Sequence, residues 1–237
     1  MTVTDVNVVK SAIFERPDDA NKGTLGSLLC VCGSYGMAGA AVMSAKGALR
    51  TGIGLAKCAL PRSIYPIVAQ TILESVYYPL SENADGRISK VNVPFLVSES
   101  CKSSATLVGC GLGVCDDTLK IVFSLIENST TPLVLDADAL NCVAKQPEIL
   151  LKKKAPIIIT PHPGEMSRLT GLATPLVNAE RERVALDFAQ KYGVVTVLKG
   201  AGTVIASPNG KVLVNPTGNS GMATGGSGDV LAGMTAS

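Results

Sequence analysis

The chain of 237 residues contains a single histidine, His162. No cysteine lies near it in sequence, which argues against a zinc site. No Cys-x-x-Cys pair occurs, and the cysteines are odd in number, seven in all: Cys30, Cys32, Cys58, Cys101, Cys110, Cys115 and Cys142. Several sit inside apolar runs, so they read as reduced thiols packed as small hydrophobes in a cytosolic protein. Charge is scarce too: 17% of residues are charged and the formal net charge is +2. The densest basic cluster, Lys152-Lys153-Lys154, reads as a solvated helix end, so nucleic acid is a poor partner. No apolar run reaches membrane-spanning length. The N-terminal MTVTDVNVVKSAIFERPDD lacks the charged start and apolar core of a signal peptide. With no low-complexity linker and no internal repeat, the expectation is one cytoplasmic domain over residues 1–237.

What is abundant is apolar sequence, 46% of the chain, enough for a sizeable core. Short Val/Ile/Leu-rich runs at 27–33, 54–60, 105–111, 132–138, 155–161 and 194–200 predict strands covered on both faces. Segments with helical spacing lie between them, notably 37–50, 116–127 and 175–192. That alternation predicts βαβ units in a three-layer α/β/α fold with a mostly parallel sheet. Near the end, TVIASPNGKVLVN places two strand-like runs around Ser207-Pro208-Asn209-Gly210, a hairpin signal.

Ligands of open parallel sheets bind beyond the carboxyl ends of the strands. Four polar or glycine-rich motifs fall there: GSYGMAG, DADALN, TPHPGE and LKGAGT. A fifth, GGSGD at 225–229, leads into the helical run VLAGM. Glycines let an anion approach backbone N–H groups at a helix start. It is not a P-loop, because no lysine follows, and a plain strand-to-helix turn is the other reading. Asp229 is then either a first-turn acid favoured by the helix dipole or a general base beside that turn. Lys199 is either an exposed strand-end lysine or a group reaching nucleotide phosphates. His162, between two prolines in a stiff turn, is a structural group or a ligand contact. Glu165 is a first-turn acid or orients a magnesium-bound water. Asp136 and Asp138 end an apolar strand and must be solvated, capped or functional; a helix cap is the simple role for Asp138.

Together these blocks resemble the NAD(P)H-hydrate dehydratase family, a branch of the ribokinase-like kinases. The resemblance rests on GSYGMAGAAVMSAKGALRTGIGL, LVLDADALN, TPHPGEMSRLTG, VLKGAGTVI and NPTGNSGMATGGSGDVLAG, in the family's order, from about residue 23 onward. It implies ADP- or ATP-dependent repair of hydrated NADH or NADPH through a phosphorylated intermediate, with Mg2+. By resemblance Asp229 is the base, and Gly226 and Gly228, with Gly225 and Ser227, stabilise the transferred phosphoryl group. Lys199, Gly200, Ala201, Gly202, Thr203 and Gly228 match nucleotide-binding positions. Ala40, Gly113, His162 and Asp229 match positions that hold the hydrated dinucleotide, and Glu165 matches the magnesium motif. Family members continue for several helices past GSGDVLAG, so a shortened scaffold is expected here, and the expectation is a chain without the epimerase domain that some relatives carry fused in front. Tetramers are common among bacterial relatives, which makes a homo-oligomer the expectation. A vitamin kinase such as a hydroxyethylthiazole kinase, and a non-catalytic nucleotide-binding remnant, are the alternatives.

Overall fold

The computed structural model describes residues 2–3 and 16–237, so most of the N-terminal stretch read for a leader lies outside the described residues. The chain begins with β1 (Thr2–Val3), β2 (Ser27–Val31), α1 (Ala38–Thr51), β3 (Leu55–Pro61), α2 (Tyr65–Thr71) and β4 (Val76–Leu80). It continues through α3 (Val93–Cys101), β5 (Ala105–Val108), α4 (Asp116–Asn128), β6 (Leu133–Leu135), α5 (Asp138–Val143) and β7 (Ile157–Ile159). Then follow α6 (Pro163–Thr170), α7 (Thr174–Ala179), α8 (Arg181–Tyr192), β8 (Val195–Leu198), β9 (Thr203–Ala206), β10 (Val212–Asn215) and α9 (Ser227–Ala236).

All six expected strands form, and most stop short of their apolar runs because the last residues turn into loops. The hairpin forms as β9 and β10. Among the described residues ten strands make one sheet in the order β1-β10-β9-β8-β7-β6-β5-β2-β3-β4. From β4 to β8 every neighbouring pair is parallel, and β9 reverses direction against β8 and β10.

Strand residues alternate between two cores, as the two-residue period requires. Leu28, Cys30 and Cys32 face α1, α2 and α9, whereas Leu29 and Val31 face the layer with α3 to α6 and α8. The mostly parallel α/β/α sandwich is therefore as the apolar runs predicted. On the first face the packing residues are small, Ala40, Ala41, Ala45, Ala48, Ala232 and Ala236. An ideal Cβ on Gly47 would lie 2.6 Å from the Val230 oxygen, and one on Gly233 would lie 2.9 Å from the Ser44 carbonyl carbon. Only helices this bare of side chains approach so closely.

One expectation needs correction. The helix predicted over 175–192 is two helices, broken at Glu180 (φ −126°, ψ 41°). The bend lets Arg181 Nη2 donate to the Leu198 and Lys199 carbonyls at 2.8 and 3.1 Å. The sequence reading also passed over α2, β4 and α3. As the edge strand at one end of the sheet, β4 is half-exposed and carries Pro79, which an edge tolerates.

Candidate active site

The sheet has a topological switch point. From β2 the chain moves outward to β3 and β4, then returns to β5 on the other side of β2 and continues through β6, β7 and β8. The loops leaving β2 and β5 meet there, at the edge where ligands of open parallel sheets bind in the crevice beyond the strand ends. The two loops are locked together: Gly33 N donates to Cys110 O at 2.8 Å, and Ser34 Oγ donates to Gly111 O at 2.8 Å. Gly111 (φ 63°) has no room for a side chain, since a Cβ would come 2.7 Å from Ala40 Cβ. Ala40 itself is buried against this turn. Gly113 N donates to Asp138 Oδ2 at 2.8 Å. Asp138 is thus no helix cap; it is the first residue of α5, and Ala137 holds the cap position. Ala137 is the one non-glycine with positive φ (50°) among the described residues, a strained conformation between two acids at the site.

Across the crevice, α9 begins with the glycine turn. Gly226 is its N-cap in the left-handed region (φ 89°), where a Cβ would run into the Met43 sulfur. The first bond of the helix is Val230 N to Gly226 O at 3.0 Å, and Ser227 N donates back to Thr224 O at 3.4 Å, so the Gly228 and Asp229 N–H groups precede the helix ladder, where an anion is favoured. Asp229 is the third helical residue and is partly buried. Its carboxylate, that of Asp136 and the Cys110 thiol have ligand atoms within 4.8 Å of one another. Burial, then the Asp136 charge and more weakly Asp138, hold the Asp229 carboxyl above its ordinary range. A hydrogen bond from Cys110 and the Lys199 charge oppose that rise.

Lys199 ties the two sides. Its Nζ lies 2.6 Å from Asp136 Oδ1 and 3.8 Å from Glu165 Oε2, and 3.7 Å from where a Gly228 Cβ would stand. Thr160 Oγ1 donates to the same Asp136 oxygen at 2.7 Å. Asp136 and Glu165 are buried, so one ammonium serves a carboxylate-rich centre. Glu165 is already engaged: Oε2 accepts His162 N–H at 2.8 Å, and Oε1 lies 3.4 Å from His162 Nε2. His162 caps α6 through Nδ1, which accepts from Gly164 N (3.0 Å) and Glu165 N (3.3 Å). Its other nitrogen remains on the half-exposed side. Among the described residues, the thiol and carboxylate atoms close enough to share one ion are those of Cys110, Asp136 and Asp229, without Glu165.

The turn after β8 is built on Gly200 (φ 149°) and Gly202 (φ 68°), with Thr203 Oγ1 donating to Gly200 O at 3.0 Å. Arg181 buttresses it from below. Ala201 and Gly202 also line a cavity of about 620 Å³ shared with the start of α8.

The structure therefore gathers Asp229, Gly228, Lys199, Glu165 and His162 into one connected set. Ala40 packs against the switch-point turn that holds Gly113, and Gly200, Ala201, Gly202 and Thr203 follow Lys199 directly along the chain. Sequence reasoning passed over Cys110, Thr160 and Arg181. Cys110 read as a core hydrophobe and Arg181 passed unremarked within the run 175–192, so neither carried a signal of its own.

Comparison with known proteins bears on this arrangement. The family model described as NAD(P)H-hydrate dehydratase matches residues 28–237. The bifunctional NAD(P)H-hydrate repair enzyme Nnr of Thermofilum pendens is 42% identical over 93% of this chain. The chain spans only 42% of that protein's length, about two fifths. The ADP-dependent (S)-NAD(P)H-hydrate dehydratase of Neisseria meningitidis is 34% identical over 94% of this chain and 72% of its own. The crystal structure of the Bacillus subtilis ADP/ATP-dependent NAD(P)H-hydrate dehydratase, co-crystallized with ATP/Mg2+, superposes with a TM-score of 0.82 at 32% identity, covering 98% of this chain and 78% of that one. On this evidence the chain, with its ribokinase-like fold, belongs to the NAD(P)H-hydrate dehydratase family.

Proposed function

We propose that the protein dehydrates hydrated NADH and NADPH with ADP or ATP as phosphoryl donor and so restores the reduced cofactor. One observation carries the reading: Asp229, a partly buried acid in the first turn of α9, follows a glycine turn at the helix start and has Lys199 beside it. The names of the Neisseria and Bacillus relatives support the choice of nucleotide and substrate.

The nucleotide phosphates would lie over the N–H groups of Gly228 and Asp229, met by Lys199 and the Gly200–Thr203 turn. Ala40, Gly113 and His162 would border the dinucleotide. Asp229 accepts the proton of the ring hydroxyl as its oxygen bonds to phosphorus, which is when that proton becomes acidic. AMP leaves from ADP, or ADP from ATP, while Gly226 and Gly228 leave room for the transferred group and its backbone donors. Phosphate then departs with the carbon–oxygen electron pair and a proton leaves the adjacent ring carbon, giving NAD(P)H.

Magnesium fits the donor set, because Asp136 and Glu165 are two buried carboxylates sharing the one ammonium of Lys199. Once nucleotide phosphates draw that ammonium, Asp136 would hold the ion and Glu165, outside the atoms close enough to share it, would orient a magnesium-bound water; the ion when bound neutralises phosphate charge. No helix among the described residues is long and apolar enough to cross a membrane. The seven free cysteines, five of them buried, suit a cytoplasmic protein, and a homo-oligomer of one-domain subunits is part of the proposal.

The test is to supply hydrated NADH with ADP or ATP and follow reduced-nicotinamide absorbance. Recovery supports the reading. A stable phosphorylated product points to a vitamin kinase, and nucleotide binding with no product points to a remnant.

A further inference from the structure

The loop between β4 and α3 carries SENADGRIS at 81–89, which the chemistry above does not use. Since β4 is parallel to β3, this loop leaves the same edge of the sheet as Gly33, Asp136 and Lys199. It is tied down there. Tyr35 N donates to Gly86 O at 2.9 Å, Glu82 and Ile88 form an antiparallel bridge, and Asn83 Nδ2 donates to Asp117 Oδ2 at 3.1 Å. Asn83 Oδ1 in turn accepts from Arg87 N at 3.1 Å.

The outcome is a fixed course for the Arg87 side chain. It runs across Gly113 (φ 74°), where an added Cβ would come 2.9 Å from Arg87 Cδ and would collide with Nε. The same Gly113 bonds Asp138, two residues beyond Asp136. Arg87 thus reaches the crevice from the β4 side of the switch point, and Lys199 from the β8 side.

Arg87 Nη1 lies 3.2 Å from Asp85 Oδ2, and the guanidinium also meets the Cys115 thiol. Asp85 is two-thirds exposed, and an exposed pair of this kind contributes about 1 kcal/mol or less. A guanidinium has five N–H groups in a planar fork, and its pairing with phosphate is stronger and often bidentate. Nothing in the loop's own architecture needs a cation laid over a bare glycine.

We propose that Arg87 binds a phosphate of the hydrated dinucleotide, seating the unreactive end of the substrate while the ring lies at Asp229. The inference rests on the function proposed above. The phosphate is either the pyrophosphate, present in both substrates, or the 2′-phosphate, present only in the NADPH form.

Steady-state dehydration of both hydrates by the full chain and its Arg87→Ala, Arg87→Lys and Asp85→Asn variants decides it. Arg87→Ala should raise KM for the hydrate about tenfold or more, the size of one lost charge-assisted bond, with KM for the nucleotide unchanged. A rise for both hydrates identifies the pyrophosphate; a rise for hydrated NADPH alone identifies the 2′-phosphate. Arg87→Lys should recover part of the loss, and Asp85→Asn should leave KM at or below the wild-type value. Titration with NADPH, followed by its fluorescence, makes the same comparison without turnover and should give a Kd about tenfold weaker in Arg87→Ala. An unchanged KM and Kd in Arg87→Ala, a rise confined to the nucleotide, or an equal rise in Asp85→Asn overturns the proposal. So does failure of the wild type to bind NADPH. Wild-type protein that binds NADPH but does not turn over either hydrate counts against the proposed reaction, and the Kd comparison still judges Arg87.

Discussion

Lys199 Nζ sits 2.6 Å from Asp136 Oδ1, joining the carboxyl ends of β8 and β6 across the intervening β7. The carboxylate is 2% exposed and the lysine side chain 17%, so the pair is sheltered from water. Removing one member strands the other. Lys199→Met should cost about 3 kcal/mol of stability, the scale for breaking a buried pair, whereas Asp136→Asn combined with Lys199→Met should cost less than the lysine change alone. Urea unfolding midpoints of the two variants measure this, and a double variant weaker than the single one contradicts it.

Asp229→Asn should lower turnover by on the order of a thousandfold, within the range of general-base contributions, while nucleotide binding stays close to normal. Near-wild-type turnover in that variant would remove the base from the mechanism.

The raised Asp229 pKa has a consequence for stability. A carboxyl whose folded pKa lies above its unfolded value of about 3.8 favours the fold fully only below that value, and the benefit is lost as pH rises through the folded pKa. Asparagine has no charge to desolvate. Asp229→Asn should therefore melt above the wild type at neutral pH, with the difference closing in acid. For the same reason the acid limb of kcat/KM, which reports deprotonated Asp229, should fall above the ordinary aspartate range. A variant less stable than wild type at neutral pH would contradict the shift.

Gly233→Ala tests the contact between α1 and α9. The new methyl would press on the Ser44 carbonyl group, which is backbone and cannot swing aside. Overpacking of this kind costs about 1–3 kcal/mol, and it should also lower kcat because α9 carries Asp229. An unchanged melting temperature and kcat would mean that the helices separate freely.

Cysteine reactivity should be graded by position. Burial pushes the Cys115 thiol up, but N–H and hydroxyl donors of Thr118, the Asp117 N–H and the Arg87 guanidinium outweigh it, leaving the thiol below its ordinary value. Burial pushes Cys58 and Cys142 up to about 11. Iodoacetamide near neutral pH should label Cys115 ahead of both and of the fully buried Cys30 and Cys110. Mass spectrometry of timed digests reads the order directly.

The parts of the fold legible from sequence were those whose physics is local. Strands covered on both faces are continuously apolar, so β2, β3, β5, β6, β7 and β8 could be located, while the half-exposed β4 with its Pro79 could not. The break at Glu180 was invisible because helical spacing runs straight through it. What the break serves is tertiary: it lets Arg181 reach the Leu198 carbonyl, 17 residues on from Arg181. The site divides in the same way. Glycine turns and strand-end acids announced themselves by residue type. That Asp138 would bond Gly113, 25 residues distant, rather than cap a helix was a fact of tertiary placement. Arg87 likewise became informative only when the turn of β4 brought it over a glycine.

The docking of α9 on α1 also orders events in the life of the molecule. α1 is completed by Thr51, but the helix that lies on it begins at Ser227. On the ribosome, every strand of the sheet emerges before α9 does. A growing chain can thus shape the crevice and its lysine–aspartate pair well before it holds Asp229. Asp229 joins that pair only when α9 forms, so a chain interrupted before Ser227 carries the lysine–aspartate pair without the base proposed above.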